Sequence, residues 1–240
     1  MARVKNITSN KQVFFDFGRD YDAKLDNFFF SSENEILKSQ IQLLIEDSKS
    51  EHIFLVGNSS SGKTFLLNSI LNEVQPKDKP SLYIDASKLS SANKNFESLE
   101  DSFLLCLDNI DECNHKIQVQ IFNLINACKG KNTKLVLTSS TPLRGIDVFP
   151  DLQSRFAQMN SFTIKPLSES DIVEAIAFIS TKLDIQLSGD AIEYLKIFVR
   201  KDFYSIKQTV VELDKFLYAE RKQPSKQMVA KFLKKLKNFA

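Results

Sequence analysis

Apolar residues recur along this chain in two rhythms, and the balance between them shifts near residue 168. Four short runs are continuous or nearly so: Ile53-Phe-Leu-Val56, Ser81-Leu-Tyr-Ile-Asp85, Phe103-Leu-Leu-Cys-Leu107 and Lys134-Leu-Val-Leu-Thr138. Such runs predict strands buried on both faces of a parallel sheet. Between them, Phe65, Leu66, Leu67, Ile70 and Leu71, then Ile117, Ile121, Leu124, Ile125 and Cys128, fall at helical spacing. Upstream, Ser31 or Ser32 is positioned to cap a helix whose apolar side is Ile36, Leu37, Ile41, Leu44 and Ile45. Residues 76–80 read as a turn, and Lys88 to Leu99 has no clear period. Strands alternating with helices predict an α/β fold, a doubly wound parallel sheet flanked by helices.

After Ser168 the strand signal stops. Ser168-Glu-Ser-Asp171 is a candidate capping box. Four helical faces follow: Ile172, Ile176, Ile179 and Leu183; Ile192, Leu195, Phe198 and Val199; Ile206, Val210, Leu213 and Leu217; Val229, Phe232, Leu233, Leu236 and Phe239. The expected organisation is therefore an N-terminal tail (1–24), an α/β core (25–167) and a small helical lid (168–240).

The tail begins polar and basic and predicts disorder through Lys11. Gln12-Val13-Phe14-Phe15-Asp16-Phe17 then breaks the pattern. By composition it is an edge strand on the core, or an exposed motif that docks in an apolar pocket on a partner. Leu25-Asp-Asn-Phe28-Phe-Phe30 is likewise core, or a wall for a flat adenine ring.

The chemistry concentrates after the first strand. Gly57-Asn58-Ser59-Ser60-Ser61-Gly62-Lys63-Thr64 joins a strand to a helix, the context a phosphate-binding loop requires. Inward-pointing amides and a helix N-terminus favour phosphate there. Gly57 through Thr64, with Phe65 beyond them, are the candidate nucleotide-binding residues for ADP or ATP. Lys63 would reach the β/γ-phosphates, and Thr64 would offer its hydroxyl to Mg²⁺. Asp108, just past the third apolar run, is the candidate second holder of Mg²⁺ and its water. The next residue, Asn109, cannot act as a general base, and Asp111 and Glu112 are wrongly spaced to replace one directly. Binding is thus better supported than fast hydrolysis.

Net charge is +2, which speaks against a strongly basic, autonomous nucleic-acid binder. The three cysteines, Cys106, Cys113 and Cys128, form no disulfide framework, and Cys113 with His115 is a weak metal pattern. No apolar run approaches the roughly 18 residues of a membrane span, and no signal-peptide pattern begins the chain, so a cytoplasmic location is expected.

Together the G-x-x-x-x-G-K-T loop, the apolar-Asp strand, the Thr-Ser strand end, Asp151-Leu-Gln-Ser-Arg155-Phe156 and the helical lid resemble AAA+ ATPases of the DnaA initiator clade. The resemblance runs from about Gln12 to the C-terminus. Its nearest branch is the regulatory inactivators homologous to DnaA, because the sequence stops after the lid and Gln12-Val13-x-Phe15-x-Phe17 is similar to their sliding-clamp motif. The resemblance implies that Gln12, Val13, Phe15 and Phe17 dock on the DNA polymerase III β clamp, giving indirect contact with DNA. It implies that Arg155 is an arginine finger acting in trans on ATP bound to DnaA, and that Ser140 stands where the clade often carries a polar sensor-1 residue. The lid arginine of the clade is replaced: Tyr204 aligns there, which makes it the lid's candidate nucleotide-binding residue, with Lys207 one turn on. Homo-oligomers are a further implied possibility. The alternative is a true ATP-hydrolysing motor, such as a helicase loader or a DnaA-like replication factor.

Overall fold

The computed structural model describes residues 20–46, 51–74, 80–89, 96 and 99–237. The segment with Gln12, Val13, Phe15 and Phe17 lies outside the described residues, as do Phe239 and most of the stretches 76–80 and 88–99.

Five parallel strands form one sheet in the order β2-β3-β4-β1-β5. They are β1 (Ile53–Val56), β2 (Ser81–Asp85), β3 (Leu104–Asp108), β4 (Lys134–Ser139) and β5 (Asn160–Thr163). Every residue of β1, β3 and β4 is buried, which is why these strands read as unbroken apolar runs. The third strand lies one residue later than its apolar run, so that Asp108 ends it in register with Asp85. Phe103, predicted within that strand, still joins the ladder through bonds to Pro80 and Lys134.

Strand β5 carries no pattern that predicts it. Asn160-Ser-Phe-Thr is short and half-exposed, and it pairs with β1 alone at the sheet edge. Alternation over four residues is too brief a signal to detect.

Helices α1 (Glu35–Ile45), α2 (Lys63–Glu73), α3 (His115–Cys128) and α4 (Pro150–Phe156) accompany the sheet. One apolar layer gathers Phe54, Leu105, Leu107, Ile117, Ile121 and Phe156. The opposite layer gathers Leu55, Leu66, Leu67, Ile70, Leu104 and Ile41. Two predicted details of α1 fail. Ile36 is 72% exposed, and the helix is entered through a 3-10 turn at Ser32–Asn34 without a serine side-chain cap. Ser31 Oγ is instead buried and accepts from Asn34 Nδ2 at 2.8 Å.

The lid comprises α5 (Glu169–Lys182), α6 (Gly189–Lys196), α7 (Phe203–Glu220) and α8 (Lys226–Lys237) around its own core. The Ser168–Asp171 capping box forms as predicted: Asp171 N–H donates to Ser168 Oγ, and Ser168 N–H to Asp171 Oδ2. Leu183, assigned to an apolar face, instead ends α5 half-exposed.

The aromatic segment 28–30 joins the two bodies. Phe28 and Phe30 pack with each other and with the core layer beneath α1 and α2. Phe29 turns the other way and stacks on Phe203 of the lid, with centroids 5.9 Å apart and planes 4° apart, and also meets Phe178. Alternation of side chains along extended backbone lets three consecutive phenylalanines serve two cores.

Candidate nucleotide-binding site

β1 runs into the phosphate loop at its carboxyl end, the end at which parallel sheets bind ligands. Gly57 N–H donates to the Ser139 carbonyl at 3.1 Å, tying the loop to the end of β4. A Cβ at Gly57 would lie 2.4 Å from Ser61 Oγ and 3.2 Å from Ser61 Cβ, so a side chain there would force the Ser61 hydroxyl to turn and crowd the loop. Gly62 adopts φ +88° as the N-cap of α2, and a Cβ on it would press Phe28 at 3.0 Å. Left-handed backbone and close aromatic contact both select glycine. Ser60 shares the left-handed conformation (φ 69°). Ser61 Oγ is buried inside the loop without a hydrogen-bond partner.

Lys63 opens α2 and is 6% exposed. Its ammonium donates to the carbonyls of Gly57 (2.6 Å) and Asn58 (3.0 Å) and to Ser140 Oγ (3.2 Å). Burial pulls its pKa below that of an ordinary lysine, while the charges of Asp108, Asp111 and Glu112 push back. Ser140, the predicted sensor, is thus brought against the loop lysine across the gap between β1 and β4.

Thr64 Oγ1 donates to Asp108 Oδ2 at 2.6 Å. The two residues proposed to hold Mg²⁺ therefore meet. Asp108 is fully buried and also accepts from the Tyr83 hydroxyl (2.9 Å) and from Thr138 Oγ1. Burial, then the Asp108 charge and hydrogen bond, drive the Tyr83 phenol well above its usual pKa, so Tyr83 serves as a fixed donor. Tyr83 was missed at sequence level. Its signal was only a polar-tipped aromatic in the strand beside the acid-bearing one.

Asn109 adopts φ 54°. Its amide N–H donates to Thr138 Oγ1 (3.1 Å) and its side chain to Asp85 Oδ1 (3.2 Å). Asp85 also faces Lys88 at 2.9 Å and Ser87 at 2.6 Å. Burial works against its charge, but bonds from Ser87, Lys88 and Asn109 hold its carboxyl below the usual range. Asp111 accepts from the Ser140 amide (3.0 and 3.2 Å), the Thr141 amide (3.1 Å) and the Thr141 hydroxyl (3.0 Å). Its carboxylate is committed to shaping the β4 strand end. Glu112 is exposed.

A cleft between core and lid lies beside the loop. It is lined by Phe28, Phe29, Asn58 to Ser61, Ile164 to Leu167 and lid residues Lys201 to Phe203. Phe28 is thus both core and cleft wall. Tyr204 is 59% exposed and lies outside this lining, whereas its neighbour Phe203 faces in. Lys207 Nζ stands 5.6 Å from the centre of the Phe65 ring, which follows the loop.

Arg155 sits in the last turn of α4. Its guanidinium lies 5.6 Å from the Phe122 ring centre on α3, and its Nε is buried without a hydrogen-bond partner. Among the described residues, no hydrogen bond or ion pair joins its side chain to the loop. Cys113 donates its thiol to the Ile110 carbonyl at 3.0 Å, and burial raises its pKa to about 11. His115 packs on Phe149.

The residues present suit a nucleotide and Mg²⁺. The loop is tight at its first glycine and carries an unpartnered hydroxyl. A buried ammonium and a Thr–Asp pair stand on either side of it. Among the described residues no three acidic, histidine or cysteine groups cluster, so Mg²⁺ here would rely on phosphate oxygens and water.

Known proteins share this architecture. The domain III structure of DnaA from Thermotoga maritima superposes with a TM-score of 0.74 at 17% identity, over 90% of this chain and 97% of that one. AMPPCP-bound DnaA from Aquifex aeolicus gives 0.76 at 19% identity, over 92% of this chain and 71% of that one. A RuvB Holliday junction branch migration motor from Thermotoga maritima gives 0.66 at 17% identity, over 90% and 72%. A Haemophilus influenzae protein described as uncharacterized is 26% identical over 235 residues, 96% of this chain and all of that one. The family described as Sigma-54 interaction domain matches residues 31–161. With more than half of the sequence matched and a P-loop on a five-stranded parallel sheet, the chain belongs to that family and is an AAA+ protein with a DnaA-like core and lid.

Proposed function

We propose that the chain is a nucleotide-held regulator of the initiator DnaA, of the Hda type. The observation that carries this reading is a well-formed phosphate site without an acid placed for hydrolysis. Asn109 follows Asp108 and is spent on Asp85, and Asp111 is spent on Ser140 and Thr141. In this reading the loop amides and Lys63 bind the phosphates of ADP or ATP. Thr64 and Asp108 hold Mg²⁺, which when bound neutralises phosphate charge. Ser140, steadied by Asp111, reports on the terminal phosphate. The lid answers through Lys207 rather than an arginine.

Arg155 then acts on another molecule. Its guanidinium rests 5.6 Å from the Phe122 ring centre, and guanidinium N–H groups beyond the buried Nε would be the donors to a phosphate. Set against ATP bound to DnaA, it would stabilise the charge that develops as the γ-phosphate leaves. Gln12, Val13, Phe15 and Phe17 would dock on the β sliding clamp, so that the regulator works where the clamp encircles DNA. The result is inactive DnaA–ADP and no premature re-initiation.

The test is hydrolysis of DnaA-bound ATP with clamp-loaded DNA. Arg155→Ala should reduce the stimulation at least about a hundredfold while calorimetry shows ADP binding unchanged. Lys63→Ala should abolish ADP binding. Stimulation that survives Arg155→Ala would remove the finger from the mechanism, and ADP binding that survives Lys63→Ala would remove the nucleotide site.

A second reading, an ATP-hydrolysing motor, rests on Glu112, the one carboxylate acting on Lys63 that is exposed and without a recorded hydrogen bond among the described residues. Rapid turnover by the pure protein, lost in Glu112→Gln, would favour it.

A further inference from the structure

The near-balanced charge of the chain conceals an asymmetry. Residues 203–237, which make up α7, α8 and the turn between them, hold nine Lys and Arg against three Asp and Glu, a net +6. The rest of the chain holds 23 against 27, a net −4. The molecule is an electric dipole with its positive pole on the last two lid helices.

Structure decides how that charge is displayed. Val229, Phe232 and Leu233 of α8 are buried in the lid core. The exposed positions of the helix are Lys226, Gln227, Lys231, Lys234 and Lys235. Glu220 at the end of α7 pairs with Lys231 at 2.5 Å. Lys235 and Lys222 also hold the Glu220 carboxyl below its usual range, after the Lys231 hydrogen bond, so one carboxylate is shared among three lysines. Arg221 and Lys222 continue the positive surface into the α7–α8 turn.

We propose that the outer face of α8 and the adjoining turn bind the phosphate backbone of duplex DNA. A rigid helix of 12 residues is about 18 Å long, the rise of about five base pairs, so its lysines can meet several phosphates. Four of the five exposed positions are lysines, with Gln227 the fifth and no aromatic among them, a composition suited to gripping the backbone rather than reading bases. A single strand needs a stacking platform. The exposed aromatic nearby, Tyr218, is a single ring beside a groove lined by Asp184 and Asp214 as well as Arg221 and Lys222, which is no stacking platform for successive bases. A membrane surface is disfavoured because the apolar side of α8 is spent on the lid core. The contact is direct, separate from any partner that encircles DNA, and independent of nucleotide.

Fluorescence anisotropy of the full chain with a labelled duplex of about 30 base pairs, between about 50 and 200 mM salt, tests the proposal. Lys226→Gln/Lys234→Gln/Lys235→Gln should weaken binding at least about tenfold at low salt and flatten the log–log salt slope by about 2.7. Lys24→Gln/Lys116→Gln/Lys129→Gln removes the same charge from exposed core positions and should retain affinity within about twofold if the face, rather than bulk charge, binds. All six positions are exposed, and matched thermal midpoints establish that both variants fold. Equal loss in both variants, no loss in the first, tighter binding to single strands, or binding to anionic vesicles in place of duplex would each overturn the assignment.

Discussion

At the scale of single residues, Asn109 shows how the site is held. It occupies left-handed backbone at φ 54°, where a non-glycine residue costs about 1–2 kcal/mol. Asparagine tolerates this conformation best, and here its side chain also reaches Asp85. The two contributions separate by substitution. Asn109→Gly loses the side-chain bond but keeps an easy backbone. Asn109→Ala loses the bond and bears the strain. Urea unfolding should therefore find Asn109→Ala less stable than Asn109→Gly by about 1 kcal/mol, with unchanged m-values. Equal stability would mean that the turn relaxes and that Asn109 is kept only for its amide. Asn109→Glu, the substitution that restores an acid beside Asp108, would place it against Asp85. The obstacle to hydrolytic chemistry here is thus a second carboxylate as well as a missing one.

At the scale of elements, local chemistry and tertiary context divide the work. The capping box of α5 is local: Ser168 and Asp171 bond each other's amides within four residues, and both were legible in the sequence. Ser168→Ala should cost about 1 kcal/mol, read as a lower urea midpoint, with Ser168→Thr close to wild type. An unchanged midpoint in Ser168→Ala would mean that Asp171 alone holds the helix start. The buried strands and the phosphate loop were legible for the same reason, since each carries its pattern within a dozen residues. What escaped depends on distant partners. β5 is a strand because β1 offers an edge, and nothing within Asn160–Thr163 says so. Ile36 has an apolar side chain at helical spacing, yet the packing of α1 turns it to water. Tyr83 became part of the site only because sheet order sets β2 beside β3. The direction of Tyr204 was equally hidden, because whether it or Phe203 faces the cleft depends on how α7 is rotated against the core.

At the scale of the whole molecule, the question is how the lid learns what the loop holds. Phe28 presses against Gly62 of the phosphate loop, and Phe29, the next residue, is stacked into the lid between Phe203 and Phe178. The backbone linking them is extended and short, so a shift at the loop cannot be absorbed between the two rings. The same segment lines the cleft, together with the loop serines and Phe203. Phe29→Ala would remove the ring that seats segment 28–30, a strap between core and lid, in the lid and leave the phosphate loop and its hydrogen bonds intact. Because Phe29 is only partly buried, the loss should be about 2 kcal/mol, below the 3–5 typical of a fully buried phenylalanine. It should fall on the contact between the bodies rather than inside either one. The expected result is a lid that opens independently. Hydrogen exchange should quicken in α5 and α7 while β1, β3 and β4 keep their protection. Phe29→Leu, which fills most of the space, should restore much of the coupling. Uniformly faster exchange in core and lid alike would mean that Phe29 supports global stability and that the strap transmits nothing.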